Sequence, residues 1–380
     1  MTKLINFTNV NPINNKENLL IKNEIYNIVK KKDFILGDSV KKFEDNFSKL
    51  SKIRYSVGCA SGTDALILAL KSLNLKKGDE VIVPGLTYIS TGLSVLLNNN
   101  NLIFTDVDNK TGLISIEKTV QKINKKTKAI ISVNLYGQKV DLKKLRLKIG
   151  KKISIIEDAA QSHFAYSCYN CSKYSKNKCC KKEKNDSYAD ISCYSFYPSK
   201  NIGAYGDGGL VATNNKKLYK KLLALRNLGS IKKHEYTSVG LNSRLDTLQA
   251  VVLKQKLMSI LKLNECRRKI AKIYDNNLNK IKEIDLTKTK PGSTRHLYVI
   301  RTKKRDLLQR YLKSKKIYCQ IHYPYSLNKL KPFKKHIKNV NLRNSEQWSK
   351  ECISLPMHPN LQANQAYRVV REIMKYFKHQ

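Results

Sequence analysis

Acidic residues are scarce in this chain. Only 29 Asp and Glu stand against 73 Lys and Arg in 380 residues, a formal charge of +44. A deficit of that size ordinarily points to a nucleic-acid or membrane-surface partner. Here the excess is mostly Lys, spread along the whole chain beside abundant Asn and Ile, a pattern that A/T-rich codons explain without any partner. No dedicated nucleic-acid site is therefore expected, though a positive surface would draw in an anionic small molecule. Long apolar runs are also missing. The opening Met1-Thr-Lys-Leu-Ile-Asn-Phe-Thr-Asn-Val lacks the apolar stretch of a signal peptide, and no later run approaches bilayer-spanning length. Cytoplasmic residence without a membrane partner is the expectation. Nine cysteines with no secretion signal read as thiols in a reducing compartment. No internal repeat is visible, which sets aside solenoids and propellers.

What is present is an alternation of apolar strands and amphipathic helices, the pattern of a mainly parallel sheet covered by helices. Strand-like runs occur at Glu80–Pro84, Leu102–Asp106, Ala129–Val133, Ser154–Glu157, Ile191–Phe196 and Gly209–Thr213. Helical segments such as Asp64 to Leu73 and Ile116 to Ile123 lie between them. From about Leu245 the pattern predicts one long helix running past Arg267 and Tyr274. A smaller α+β unit follows, with strand candidates Leu297–Arg301 and Tyr318–His322 and a last helix from Ala363 to Phe377. The expected architecture is α/β, with residues 1–250 as a large domain and 251–380 as a small C-terminal one. Residues 166–188 read as an inserted surface loop rich in Lys and Cys. Cys168-x-x-Cys171 has metal-ligand spacing, and Cys179 and Cys180 could complete a four-thiolate zinc site, but adjacent cysteines chelate poorly. A plain loop with no metal is the expected reading, with structural zinc as the alternative.

Several residues have the character of a cofactor site. Lys200 lies in Ser195-Phe-Tyr-Pro-Ser-Lys-Asn-Ile-Gly-Ala-Tyr-Gly-Asp-Gly-Gly209, where a strand end delivers it into a Gly-rich turn that a solvated lysine does not need. Asp158, in Ile156-Glu-Asp-Ala-Ala-Gln-Ser-His163, sits where an apolar strand ends and ligands of open α/β sheets bind. It could hold a proton on a pyridine nitrogen, with Gln161 on the ring hydroxyl, or it could simply cap a helix. Ser61-Gly62-Thr63 precedes an apolar-periodic helix, an arrangement that suits a phosphate but is equally a good cap. Ser195 could add a hydroxyl there. Tyr88 is placed to stack on a ring face or to pack in the core. A lysine, a carboxylate, an anion cradle and a ring clamp are the four things pyridoxal phosphate requires of a protein.

With these pieces in place, the chain resembles the fold-type-I aminotransferases that act on nucleotide sugars, the DegT/DnrJ/StrS group. The likeness runs through Phe34-Ile-Leu-Gly37, Ser61-Gly-Thr-Asp-Ala-Leu66, Gly78-Asp-Glu-Val-Ile82, Leu135-Tyr-Gly137, Glu157-Asp-Ala-Ala-Gln161, Ser195 to Gly209, Asn242-Ser-Arg-Leu-Asp-Thr-Leu-Gln-Ala250, Ile321-His-Tyr-Pro324 and Ser354-Leu-Pro-Met-His-Pro359. It implies that Lys200 carries pyridoxal phosphate and moves the proton, that Asp158 pairs with the pyridine nitrogen and Gln161 with the ring hydroxyl, and that Tyr88 stacks. Gly62, Thr63 and Ser195 would bind the phosphate, joined by Asn242 from a neighbouring subunit, so a homodimer with shared sites is implied. Phe34, Ser199, Arg244, His322 and Tyr323 would line the sugar-nucleotide pocket.

Within that group the stretches at Asn242 and Ile321 look more like the branch that aminates the sugar's third carbon. The Ser354 stretch and Pro84-Gly-Leu-Thr-Tyr88 are similar to enzymes acting on UDP-2-acetamido-2-deoxy-3-oxo-glucuronate, for which Arg244 would meet the sugar carboxylate. The resemblance implies glutamate as amino donor and a ping-pong reaction. Its neighbours are a dTDP-3-keto-6-deoxyhexose or 4-keto-sugar enzyme; from another class, a non-catalytic or nucleic-acid-binding protein would keep only the fold. The chain departs from the group in its longer Asp158-to-Lys200 interval, which holds the Cys-rich loop, and in Asn185-Asp-Ser-Tyr-Ala-Asp190 where a Gly-rich stretch is usual.

Overall fold

The computed structural model describes residues 3–10, 15–166, 188–337 and 340–378. The loop with Cys168, Cys171, Cys179 and Cys180 lies outside these. Seven strands build the main sheet: β1 (Tyr55–Cys59), β2 (Glu80–Pro84), β3 (Asn101–Thr105), β4 (Thr127–Val133), β5 (Ser154–Asp158), β6 (Ile191–Ser195) and β7 (Gly209–Thr213). Their spatial order is β1-β7-β6-β5-β4-β2-β3. β7 runs antiparallel to β1 and β6, while the remaining neighbours pair in parallel. Ile and Val supply most of the buried apolar side chains of the central strands, as expected where both faces are covered. The helices of this unit are α1 (Asn15–Lys31), α2 (Asp38–Ser51), α3 (Gly62–Ser72), α4 (Ile89–Leu97), α5 (Ile116–Gln121), α6 (Leu142–Ile149) and α7 (Lys216–Leu225). Since β2, β4, β5 and β6 run the same way, the segments after their carboxyl ends collect at one edge of the sheet. Those segments carry Tyr88, Tyr136, Gln161 and Lys200.

A hairpin of β8 (Ser230–Lys232) and β9 (Glu235–Tyr236) follows α7. The expected long helix is two helices, α8 (Thr247–Leu257) and α9 (Ile260–Leu278). At the break the N–H groups of Met258 and Ser259 both reach back three residues, at 3.2 Å. That tightening keeps Leu257 and Ile260 in the same core while Met258 faces out. The second sheet has order β10-β11-β12, from β10 (Asp285–Leu286), β11 (Tyr298–Arg301) and β12 (Cys352–Leu355). It packs with α9, α10 (Arg305–Ser314) and α12 (Ala363–Lys378) around Tyr274, Ile300, Leu312 and Ile373, and Ile5 from the start of the chain enters this core. The expected strand at Tyr318–His322 is reduced to bridges, Ile317 with Ile5 and Gln320 with Ser354. Gln320 exchanges both backbone hydrogen bonds with Ser354, on the edge of β12 opposite β11.

Two buried carboxylates fasten these layers. Glu44 on α2 accepts from the Gly58 N–H of β1 at 2.7 Å and from Arg226, which also donates to the Gly58 carbonyl at 2.9 Å. Asp106, just past β3, accepts the N–H groups of Asn344 and Ser345 at 3.1 and 2.8 Å, the Ser345 hydroxyl at 2.7 Å and Lys118 at 2.7 Å. It thereby satisfies the free first turn of α11 (Arg343–Glu351). Burial pushes the Asp106 carboxyl up, but Lys118 and the Ser345 and Asn344 donors outweigh it and hold it below the usual range. A carboxyl depressed on folding stabilises above its unfolded pKa, and the contribution disappears as pH falls through the folded value, below about pH 4. Asp106→Ala should cost about 2–4 kcal/mol in urea unfolding at pH 7, and clearly less in acid; equal losses at both pH values would contradict this account.

Candidate active site

Asp158 ends β5 on the ligand edge of the sheet and is buried. Its Oδ2 accepts from the Thr91 hydroxyl at 3.2 Å and its Oδ1 from the Ala160 N–H at 3.2 Å. Thr91 is oriented in turn by Thr87, one turn earlier, at 3.0 Å. Burial raises the Asp158 pKa, against the pull of Ala160 N–H, Lys200 and Thr91. No Lys, Arg or His among the described residues makes an ion pair with it. A buried carboxylate in that state is matched by a cationic N–H, and a protonated pyridine nitrogen supplies one.

Lys200 follows β6 in a turn closed by its own N–H to the Tyr197 carbonyl at 2.8 Å and by Ala204 N–H to the Phe196 carbonyl at 2.7 Å. Burial lowers its ammonium to about 8, with the Asp158 charge opposing. An amine so placed exists partly in its neutral form near neutral pH, as a Schiff-base lysine requires.

Gln161 has a fixed orientation. Its Oε1 accepts the Tyr136 N–H at 2.6 Å and its Nε2 donates to the Tyr323 hydroxyl at 2.9 Å. One Nε2 hydrogen remains to offer to an oxygen. Tyr136 has a left-handed backbone, φ 62°, and its hydroxyl donates to the His322 carbonyl at 2.5 Å. Tyr88, 56% exposed, lies 5.8 Å from the Tyr323 ring. His322 pairs with the Ser354 hydroxyl at 2.9 Å, and burial with the charge of Lys200 takes its pKa down to about 4.

At the other end of the site α3 begins with Gly62, capped by the Ser61 side chain on the Asp64 N–H. Its first N–H groups have no helical partner. A side-chain carbon on Gly62 would sit 2.5 Å from Ser195 Cβ, so glycine is what lets this helix end approach β6. The Thr63 hydroxyl lies 2.7 Å from that of Ser90, at the start of α4. Free N–H groups ringed by the hydroxyls of Thr63, Ser90 and Ser195 suit a phosphate.

The structure thus gathers Asp158, Gln161, Lys200, Tyr88, His322 and Tyr323 at one end and Gly62, Thr63 and Ser195 at the other, with Ser199 in the lysine turn. Asn242 is exposed and forms a bridge with Asn227, and its neighbour Ser243 bonds Asp64 at 2.6 Å beside the start of α3. Phe34, half exposed, and Arg244 lie on that same flank, where the Phe34 carbonyl accepts the Thr247 N–H at 3.0 Å and Arg244 donates to Asn227 at 3.3 Å. Thr91 and Ser90 escape a reading by motif, and Tyr136 lies in a quoted motif without a role assigned to it. The i, i+4 hydroxyls Thr87 and Thr91 straight after β2 were the available signal for the first.

The sequence profile of the DegT/DnrJ/EryC1/StrS aminotransferase family matches residues 15–374. The chain belongs to this family. It is similar to dTDP-3-amino-3,6-dideoxy-alpha-D-galactopyranose transaminase of Aneurinibacillus thermoaerophilus, 36% identical over 98% of this chain and 99% of that one. It is also similar to UDP-2-acetamido-2-deoxy-3-oxo-D-glucuronate aminotransferase of Pseudomonas aeruginosa, 33% identical over 89% of this chain and 90% of that one. Among solved structures, ntda from Bacillus subtilis with bound cofactor PMP superposes with a TM-score of 0.90 at 26% identity, over 100% of this chain and 86% of that one. The protein is a pyridoxal-phosphate-dependent sugar-nucleotide aminotransferase with a fold-type-I architecture, and among the described residues no helix is long and apolar enough to cross a membrane. Gly62→Ala should weaken pyridoxal phosphate binding at least tenfold, about 1.4 kcal/mol, in an absorbance titration of folded protein; unchanged affinity would remove Gly62 from the cradle.

Proposed function

We propose that this aminotransferase transfers the amino group of glutamate to the third carbon of a nucleotide-linked keto-sugar of the UDP-2-acetamido-2-deoxy-3-oxo-glucuronate type. The observation that carries the chemistry is that Lys200 and Asp158, at the carboxyl edge of the sheet, lie near enough for each to feel the other's charge. Bound pyridoxal phosphate supplies an electron sink for the carbon that loses its proton. Asp158 keeps a proton on the ring nitrogen, and Gln161 offers Nε2–H to the ring oxygen. Gly62, Thr63 and Ser195 hold the phosphate, and Tyr88 covers the ring. The Lys200 amine, with a pKa near 8, takes up and returns the proton between substrate carbon and cofactor carbon. Glutamate leaves as 2-oxoglutarate before the keto-sugar enters, so the two substrates use one site in turn.

The sugar nucleotide meets Phe34, Ser199, Arg244, His322 and Tyr323. Arg244 has no carboxylate partner among the described residues, which leaves its guanidinium for a bidentate pair with a sugar carboxylate. Two relatives whose names place the amino or oxo group at the third carbon support that position. The enzyme works as a homodimer in which Asn242 reaches the neighbour's phosphate. Exposed Leu19, Leu20, Tyr26 and Val29 on α1 and Met258, 82% exposed, at the end of α8 give that partner an apolar surface, and these two helices pack on each other.

With glutamate as donor, the 3-oxo-uronate should be aminated in preference to a dTDP-3-keto-6-deoxyhexose. Arg244→Ala should raise KM for the uronate tenfold or more, about 1.4 kcal/mol, and leave the neutral sugar little changed. An equal effect on both sugars would contradict the carboxylate reading.

A further inference from the structure

Behind the site, the loops that carry Gln161, Ser195 and Lys200 meet in a run of buried polar side chains that the proposed reaction does not use. Asn201, next to Lys200, donates from Nδ2 to Asn264 Oδ1 at 2.7 Å, and Asn264 Nδ2 donates to the His163 carbonyl at 3.0 Å. Asn201 Oδ1 lies 2.8 Å from His296 Nδ1. His163 Nε2 lies 2.9 Å from the Ser195 carbonyl. The Thr294 hydroxyl donates to the Gln161 carbonyl at 3.1 Å. All of these side chains are buried.

The contacts have one direction. A carbonyl only accepts, so His163 carries its proton on Nε2; both Asn amides donate through Nδ2, so Asn201 Oδ1 accepts and His296 carries its proton on Nδ1. Hydrogen bonds therefore run from His296 to Asn201 to Asn264 to the loop of His163, and from the His163 ring to the strand end at Ser195. A cluster built only to stabilise would be served by apolar side chains of the same volume, since buried polar groups cost free energy unless fully paired. What this run adds is orientation of three cofactor loops relative to one another and to α9, which bears Asn264.

We propose that Asn201, Asn264 and His296 are positioning residues that fix the turn carrying Lys200, so that its amine keeps one place near Asp158. This rests on the assignment of Lys200 as the cofactor lysine. The titratable or charged groups that act on Lys200 or feel its charge are Asp158, His163, His296 and His322, and Arg267 on α9 acts on His163 and His296. Burial and then Lys200 hold His163 down at about 3 and His296 well below its ordinary value, so the run keeps one protonation state across the working range. The far side of the turn is secured separately by Lys256 Nζ on the Gly203 carbonyl at 2.7 Å. Loss of the Asn201 side therefore loosens Lys200 without releasing the whole segment.

The test uses cofactor-free protein, in which acetylation of Lys200 by acetic anhydride is followed by mass spectrometry across pH. The wild-type midpoint should fall near 8. His296→Leu removes the donor to Asn201 and should move the midpoint up by about one unit, a tenfold change in the protonation equilibrium. His296→Asn, which keeps an N–H donor, should restore most of the shift. Asn264→Ala breaks the run at another point and should reproduce it. Folded His296→Leu and Asn264→Ala proteins that both keep the wild-type midpoint would overturn the proposal. A wild-type Lys200 that titrates like a surface lysine would instead overturn the reading of Lys200 itself, and the proposal with it.

Discussion

Placing a carboxylate and an amine together out of water is unfavourable unless each finds a partner, and the architecture around Asp158 and Lys200 is organised to hold them in that state. Strand β5 ends on Asp158 because parallel strands covered on both faces converge there with their carboxyl ends. Strand β6, its neighbour, delivers Lys200 through a closed turn. Desolvation then acts in opposite senses, raising the carboxyl and lowering the ammonium, with each charge partly restoring the other. Thr91 and the Ala160 N–H supply hydrogen bonds to Asp158 but no charge, which leaves the carboxylate for the protonated ring nitrogen proposed as its partner.

The other parts of the site follow from the same sheet edge. The first turn of α3 is brought against Ser195 because residue 62 has no side chain, and α4 adds Ser90 to the same corner. Gln161 is held by the Tyr136 N–H on its oxygen, which keeps an Nε2–H available for the ring oxygen proposed as its partner. Tyr136 and Gln161 also bond to His322 and Tyr323, which come from the C-terminal unit. The residues proposed for the sugar and those proposed for the cofactor thus share one hydrogen-bonded wall. The relatives show the family and the cofactor chemistry, and they include enzymes named for both UDP and dTDP sugars. In the proposed reading the sugar preference comes from residues such as Arg244, whose described side-chain partner is Asn227.

Much of the frame is legible in the sequence because buried parallel strands are short apolar runs, and six of the seven main strands stand out that way. The missed one, β1, is Tyr-Ser-Val-Gly-Cys, too mixed in composition to signal itself before the sheet pairs it with β7. The break between α8 and α9 has no Pro or Gly to mark it, since the demand comes from two buried side chains on either side of Ser259. The segment around Gln320 has strand composition but meets β12 at one position. Lys200, Asp158, Gln161 and the Gly62 corner each sit in a local motif, which is why the sequence offers them as candidates. The Asn201–Asn264–His296 run was not, for its members are far apart in the chain and polar pairing leaves no periodicity.

The central claim is that Lys200 binds pyridoxal phosphate and that the bound cofactor accepts the amino group of an amino-acid donor. The most direct measurement is the near-UV and visible absorbance of purified, cofactor-loaded protein before and after addition of glutamate, alongside Lys200→Ala. The account predicts a visible band from lysine-bound cofactor that glutamate collapses in the wild type, and no such band in the variant. A wild-type protein that takes up no cofactor when it is supplied, or a Lys200→Ala protein with the same band and the same response to glutamate, would contradict it.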